Sequence, residues 1–235
     1  IPATVRMQLN DEFQQVQQLL DKLENQQVHI VAFGKVSSGK SSLLNALLGK
    51  QSFSTSPLHG ETKVQKSSSW NEYNEQSMVV IDTPGTDEVD GELRQKMAHN
   101  AAAIADIILF VIDGDLTQSQ LKQLQFINQP NTQILLVLNK VDLYTNDELD
   151  DLKQSLLEKT KGIINPKNIV FSSAAPLPQV LIKEDRNGKQ TREKIAVEID
   201  VLQVKQRIWD ILEKDGKTLT ALNASIFAGE ISDKI

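Results

Sequence analysis

Five short apolar runs constrain this chain more than anything else in it: "VHIVAFG", "SMVVIDTPG", "IILFVIDG", "TQILLVLNKVD" and "NIVFSSA". Each has the length of a strand and an unbroken Val/Ile/Leu character, as strands buried on both faces do. Longer helical patterns separate them, so they are expected to pair in parallel through right-handed crossovers. The fold class that follows is α/β: a three-layer, doubly wound, mostly parallel sheet. Ligands of such a sheet sit beyond the carboxyl ends of its strands. The polar motifs of this chain fall there.

Around that unit the sequence predicts attachments. In residues 1–27, Leu9, Phe13, Val16, Leu20 and Leu23 form one apolar stripe on a helix. The stripe suits either packing on the following domain or pairing with another helix. The main domain is expected over 28–215. An inserted hairpin at about 178–200 places two strand-like arms around Arg186-Asn187-Gly188, and the helix "LQVKQRIWDILEK" closes the domain. Residues 216–235 read as a helical extension with Leu219, Leu222, Ile226 and Phe227 on one side.

Composition excludes several function classes. With 25 basic and 31 acidic residues the net charge is −6, which opposes broad attraction to nucleic acid or anionic lipid. There is no cysteine, and His29, His59 and His99 lack ligand spacing, so disulfides and thiolate zinc sites are out and a cytoplasmic setting is expected. The most apolar run, "AAAIADIILFVIDG", is interrupted by Asp106 and closed by Asp113, too short for a bilayer span. The chain opens on Ile1, as a piece excised from a longer protein would.

Four motifs carry chemistry. Gly34-Lys35-Val36-Ser37-Ser38-Gly39-Lys40-Ser41 follows a strand, opens a helix and matches the phosphate-loop pattern. Its glycines let the backbone turn successive N–H groups inward toward a β-phosphate, and the helix N-terminus adds partial positive charge. The binding stretch runs through Ser42. Lys40 would bridge the β- and γ-phosphates, and Ser41 would place its hydroxyl on Mg²⁺. Second, Asp82-Thr83-Pro84-Gly85 ends a strand: Asp82 can reach Mg²⁺ through water, and the Gly85 N–H can meet a γ-phosphate and sense its loss. Third, Asn139-Lys140-Val141-Asp142 follows "QILLVL". The Asp142 carboxylate can accept from guanine N1–H and its 2-amino group, whereas adenine presents an acceptor at N1. After the last strand, "SSAAP" brings Ser172, Ser173 and Ala174, whose backbone N–H can reach guanine O6.

Together these residues resemble the translation-factor-related class of P-loop GTPases, over about residues 28 to 176. "DTPG" and "NKVD" look most like the Era family, and "GKVSSGKSSLLNALLG" also looks like dynamin-like and other bacterial membrane-associated GTPases. The resemblance implies GTP and GDP as ligands, Mg²⁺ as cofactor and slow intrinsic hydrolysis as a nucleotide-dependent switch. The alternative it leaves is a nucleotide-gated binding module, or a membrane-associated dynamin-like GTPase, whose partner engagement is the function. Era-like proteins supply a Thr to Mg²⁺ from the loop after the first helix. Thr62 matches it, with Thr55 as a rival. Where Ras-like enzymes carry a water-orienting Gln this chain has Thr86. Ser37 occupies the place beside which related GTPases hold a monovalent cation such as K⁺, a site usually completed when two G domains meet. The catalytic set implied is thus Lys40, Thr62, Gly85 and Ser37. The segments Ser52 to Lys66 and Thr86 to Leu93 are expected to respond to the γ-phosphate. The hairpin resembles that of cyanobacterial-type Era-like GTPases with a further C-terminal region, so RNA or a membrane would be met by regions outside this chain.

Overall fold

In a computed structural model of the chain, the structure describes residues 28–55, 66–70, 78–83, 105–128, 132–184 and 190–214. Six strands build one sheet: β1 (Val28–Gly34), β2 (Lys66–Trp70), β3 (Met78–Asp82), β4 (Ile107–Ile112), β5 (Gln133–Leu138) and β6 (Ile169–Phe171). Their order is β2-β3-β1-β4-β5-β6, and every described pairing is parallel except β2 with β3. The helices are α1 (Lys40–Leu48), α2 (Gln118–Ile127), α3 (Asn146–Lys159) and α4 over 202–214. This is the three-layer, mostly parallel α/β fold expected from the apolar runs.

Successive side chains of a strand point to opposite faces, so each central strand feeds two cores. From β4, Ile107, Leu109 and Val111 join Leu43, Leu44 and Leu47 of α1 and Val204 and Ile208 of α4. Its other face, Ile108, Phe110 and Ile112, packs with Leu124 and Ile127 of α2 and Leu156 of α3. Phe110 and Phe33 meet there as tilted rings with centroids 5.8 Å apart. Each such side chain, fully withdrawn from water, contributes about 1.5–3 kcal/mol of transfer free energy. That explains why β1, β4 and β5 carry no polar alternation.

The Asp106 that interrupts the apolar run is 1% exposed. Its Oδ2 accepts from His29 N–H at 2.8 Å, and its own N–H donates to His29 O at 2.9 Å. It therefore pins the feet of β1 and β4, at the opposite end of the strands from the motifs.

One strand was not among the apolar runs. β2, "KSSSW", is polar because it is an edge strand whose described Ser67 and Ser69 are exposed, and backbone pairing with β3 from Lys66↔Asp82 to Trp70↔Met78 is what defines it. Hydrophobic periodicity cannot find such a strand.

The expected hairpin arms do pair: β7 (Gln179–Glu184) lies antiparallel to β8 (Gln190–Ile195) as a separate two-stranded sheet. The Asn-Gly turn, the helix in 1–27 and the extension in 216–235 lie outside the described residues. Among the described residues no helix is long and apolar enough to cross a membrane.

α3 is braced from the loop after β4. Lys159 Nζ donates to Asp115 Oδ2 at 2.6 Å, and Ser155 Oγ lies 3.1 Å from both carboxylate oxygens. Partial burial pushes the Asp115 pKa up, but the bonds from Lys159, Ser155 and the Leu116 N–H outweigh it and hold the carboxyl below its ordinary 3.8. A depressed folded-state pKa gives stability that is present above the unfolded value and is lost as pH falls through the folded one. We expect Asp115→Asn to lower stability near neutral pH by less than about 1 kcal/mol, because the pair is partly exposed. The difference from wild type should shrink below about pH 4. Urea unfolding at both pH values measures it, and a pH-independent difference would contradict the ionic brace.

Candidate nucleotide-binding site

The loop between β1 and α1 is shaped by two glycines. At Gly34 (φ 149°) a Cβ would lie 2.3 Å from Val111 O, inside the backbone of β4. At Gly39 (φ 91°) it would lie 2.2 Å from Asn139 Nδ2. Both positions combine a left-handed backbone with a neighbour that leaves no room. Between them Ser38 is fully buried, and its Oγ donates to Lys35 O at 2.9 Å, closing a turn. Lys35 and Ser37 are exposed and Val36 is partly so. Lys40 is 7% exposed, and its ammonium donates to Gly34 O at 3.1 Å and Lys35 O at 2.9 Å. The charge thus sits at the centre of the ring the loop makes.

α1 begins on Gly39 with no side-chain cap. α2 and α3, by contrast, each have a full capping box, Thr117 with Gln120 and Thr145 with Glu148. A side-chain cap satisfies first-turn N–H groups internally. Without one, the first turn of α1 takes no acceptor from a capping side chain, the condition in which a helix N-terminus suits an anion.

Beside the loop, Ser41 Oγ donates to Asp82 Oδ2 at 2.5 Å. Asp82 ends β3 and is 1% exposed, and the next residue, Thr83, anchors that strand end by donating from Oγ1 to Ala32 O at 2.7 Å. A hydroxyl and a carboxylate forty-one residues apart are so brought into contact. These are hard oxygen donors, the type Mg²⁺ takes, and one or two protein ligands suffice for an ion that keeps its waters. Among the described residues no group of three or more His, Cys, Asp or Glu could hold a metal. As one hydroxyl and one carboxylate, the Ser41–Asp82 pair fits Mg²⁺ shared with phosphate oxygens. Thr62, Gly85 and Thr86 lie outside the described residues, while Thr55 is described and exposed.

The opposite end of the site is organised by Asn139, 2% exposed. Its Nδ2 donates to Ser38 O at 3.0 Å, and its Oδ1 accepts from Ser172 Oγ at 3.1 Å and Ala174 N–H at 3.2 Å. The Ala174 N–H, expected at guanine O6, thus has Asn139 as its partner in this structure. Asp142 Oδ1 accepts from Ser173 Oγ at 2.6 Å. An ionised carboxylate has about four acceptor sites, so this bond orients Asp142 and leaves it able to accept two more donors. Lys140 Nζ reaches back to Ser37 O at 2.6 Å.

Several contributors escaped the sequence. Asp200 exchanges two backbone bonds with Ser173, N–H to O at 2.7 and 2.9 Å, which fixes the loop that presents Ser173 to Asp142. Asp113 pairs with Lys140 at 3.1 Å, and Tyr144 OH donates to Asp113 O at 2.7 Å. Burial, then the charges of Asp113 and Glu148, raise the Tyr144 pKa above its ordinary value, so it remains a donor at neutral pH. The strand-end "DG" at Asp113-Gly114 was a visible signal. Nothing local marked Asp200.

A sequence model of the family described as "50S ribosome-binding GTPase" matches residues 29–140. GTPase Der of Clostridium perfringens is 29% identical over 163 residues, covering 65% of this chain and 37% of its own. GTPase Era of Thermosipho melanesiensis is 30% identical over 148 residues, covering 60% and 48%. The chain therefore spans less than half the length of these relatives. A crystal structure of Era in complex with MgGDPNP and nucleotides 1506–1542 of 16S ribosomal RNA is similar at 28% identity and a TM-score of 0.53, over 63% of this chain and 51% of that one.

Gly39→Ala should destabilise the fold by about 1–3 kcal/mol, through backbone strain and the displaced Asn139 amide. Gly162→Ala is the control, because Gly162 shares a positive φ of 78° but has nothing within 4 Å of its Cβ position. Urea unfolding of both should show the larger loss at Gly39. Equal losses would mean that the contact with Asn139 is unimportant.

Proposed function

We propose that this chain is an Era-like P-loop GTPase domain, as its similarity to GTPase relatives supports, and that it binds GTP and GDP with Mg²⁺ and hydrolyses GTP as a nucleotide-dependent switch. The observation that carries the reading is the Asp142 carboxylate, set by Ser173 and joined through Asn139 to the carbonyl of Ser38 in the phosphate loop. One connected structure thereby offers a phosphate cradle at one end and a carboxylate for two adjacent N–H donors at the other. Guanine presents that pair of donors and adenine does not.

Within the site, N–H groups of the loop and of the first turn of α1 would hold the β-phosphate, and Lys40 would neutralise charge between β and γ. Ser41 directly, and Asp82 through water, would hold Mg²⁺, which supplies further charge neutralisation on the phosphate oxygens. In hydrolysis a water oxygen bonds to the γ-phosphorus, the bond to the β–γ bridging oxygen breaks, and GDP, inorganic phosphate and a proton result. Thr86 replaces the Gln that orients such a water in Ras-like enzymes, and a threonine side chain is too short for that task from the same backbone position. Intrinsic turnover is accordingly slow.

The missing charge would come from a monovalent cation beside the exposed Ser37, completed by a second copy meeting this one across the nucleotides. RNA or a membrane would be reached through regions beyond this domain.

Two measurements test these readings. In calorimetric titrations GDP and GTP should bind with Mg²⁺ and ATP should not compete. Asp142→Asn should weaken guanine binding roughly tenfold to a hundredfold and favour xanthine, whose C2 carbonyl accepts from the new amide. Equal affinity for ATP and GTP would overturn the guanine assignment. Separately, GTP turnover per molecule should rise with protein concentration and with K⁺ over choline, and Ser37→Ala should lose the K⁺ response. A flat response would reduce Ser37 to a residue fitting a tight loop and would assign the missing group to an external activator.

A further inference from the structure

Among the described residues only two non-glycine positions have a positive φ, Ser37 at 61° and Lys140 at 62°. They belong to different loops, and they are bonded to each other: Lys140 Nζ donates to Ser37 O at 2.6 Å. Left-handed backbone at a residue with a Cβ persists only where its surroundings over-determine it. The phosphate loop and the base-reading loop are therefore each held in a strained form at the point where they touch.

A lysine is a poor clasp by itself, because its ammonium is strongly hydrated and its stem has four rotatable bonds. Here a third group fixes it. Asp113 Oδ2 lies 3.1 Å from Lys140 Nζ, with the two side chains only about a third and a quarter exposed, at 35% for Lys140 and 25% for Asp113. Asp113 in turn has little freedom. Its carbonyl accepts from Tyr144 OH at 2.7 Å, and a Cβ on the following Gly114 would lie 3.3 Å from that same hydroxyl. On the preceding side, Ile112 O accepts from Asn139 N–H at 2.8 Å. The carboxylate thus stands at the end of β4, between the two loops and rigid with the sheet.

We propose that Asp113 is a positioning residue that controls nucleotide release: it holds the Lys140 ammonium on the Ser37 carbonyl, so that the loop gripping phosphates and the loop reading the base separate together or not at all. The inference rests on the reading of this site as a guanine-nucleotide pocket. The base-discriminating Asp142 carboxylate is oriented by Ser173 and not by the Lys140 contacts, so the clasp slows release without choosing the base.

The test is stopped-flow release of N-methylanthraniloyl-GDP, with Mg²⁺, from wild type, Asp113→Asn, Asp113→Ala, Lys140→Met and the Asp113→Ala/Lys140→Met double variant. Asp113→Ala should release the probe roughly threefold to tenfold faster, with Asp113→Asn in between, because an amide still accepts the hydrogen bond but lacks the charge. The double variant should be no faster than Lys140→Met alone, the mark of two residues acting through one interaction. Added choline chloride should accelerate release more from wild type than from Asp113→Asn, since only the former has the charge pair to screen. The preference for the GDP probe over its ADP counterpart should be the same in wild type and Asp113→Asn. Wild-type release rates from Asp113→Ala, additive effects in the double variant, or equal salt responses would each overturn the clasp. If Asp113→Ala fails to fold, the conservative Asn variant and the salt series decide the matter. Failure of wild type to bind the probe at all is a separate outcome and removes the guanine-nucleotide reading itself.

Discussion

The buried amide of Asn139 is the constraint on which the site depends. Two loops terminate on it: the phosphate loop, 101 residues earlier in the sequence, through Ser38 O, and the last motif, 33 and 35 residues later, through Ser172 and Ala174. Each bond is worth only about 0.5–1.5 kcal/mol net, yet losing the amide would strand a buried carbonyl at a cost of about 1–3 kcal/mol. The asymmetry makes the junction hard to alter. It also explains Gly39, whose missing side chain is the space the Asn139 amide occupies. A residue outside the phosphate-loop pattern therefore dictates one of that pattern's glycines.

From that junction the site divides along the sheet. Asp82 and Thr83 at the end of β3 lie on the side proposed for Mg²⁺, with Thr83 tied to β1. Asn139 to Asp142, after β5, lie on the side proposed for the base, and the bridge between Ser173 and Asp200 closes that side from beyond the hairpin. Parallel strands place all these carboxyl ends at one edge, so residues remote in sequence need only end their strands in register to meet. The alternation of apolar side chains into two cores enforces that register, because a slip by one residue would exchange the two faces of β4 and β5.

How much of this the sequence disclosed depended on whether the signal was periodic or local. β1, β3, β4, β5 and β6 announced themselves as unbroken apolar runs, and the phosphate loop and "NKVD" by fixed spacing. β2 did not, because an edge strand needs only backbone pairing and its "KSSSW" carries no apolar period. Asp106 read as an interruption, whereas its carboxylate caps the start of β1 in the interior. Tyr144 and Asp200 were hidden for another reason: each acts by tertiary contact through a hydroxyl or backbone groups that many residue types could supply, whereas Asp113 showed in the sequence only as the acidic end of an apolar run. Ala174 shows the limit from the other direction. Its backbone donor was foreseen, but not that Asn139 would be its partner within the protein.

The helix caps show how the chain separates stability from binding. α2 and α3 begin with Thr117 and Thr145, whose hydroxyls accept from the N–H groups of Gln120 and Glu148 while those side chains return bonds to the caps. The Glu148 carboxyl, fully exposed, is held below its ordinary pKa by the Thr145 N–H and hydroxyl, so the α3 box stays ionised and closed at neutral pH. Such helices are satisfied within themselves and need nothing further. α1 begins with Gly39, which brings no acceptor, and its first turn has no acidic residue. A helix in that condition carries unbalanced positive potential at its N-terminus, and it is the helix whose first residues are the buried Lys40 and the Asp82-bonded Ser41. Helix stability and anion affinity compete for the same N–H groups. The fold resolves the competition by sealing the helices that only pack and leaving α1, whose Leu43, Leu44 and Leu47 already hold it to the sheet, to bind.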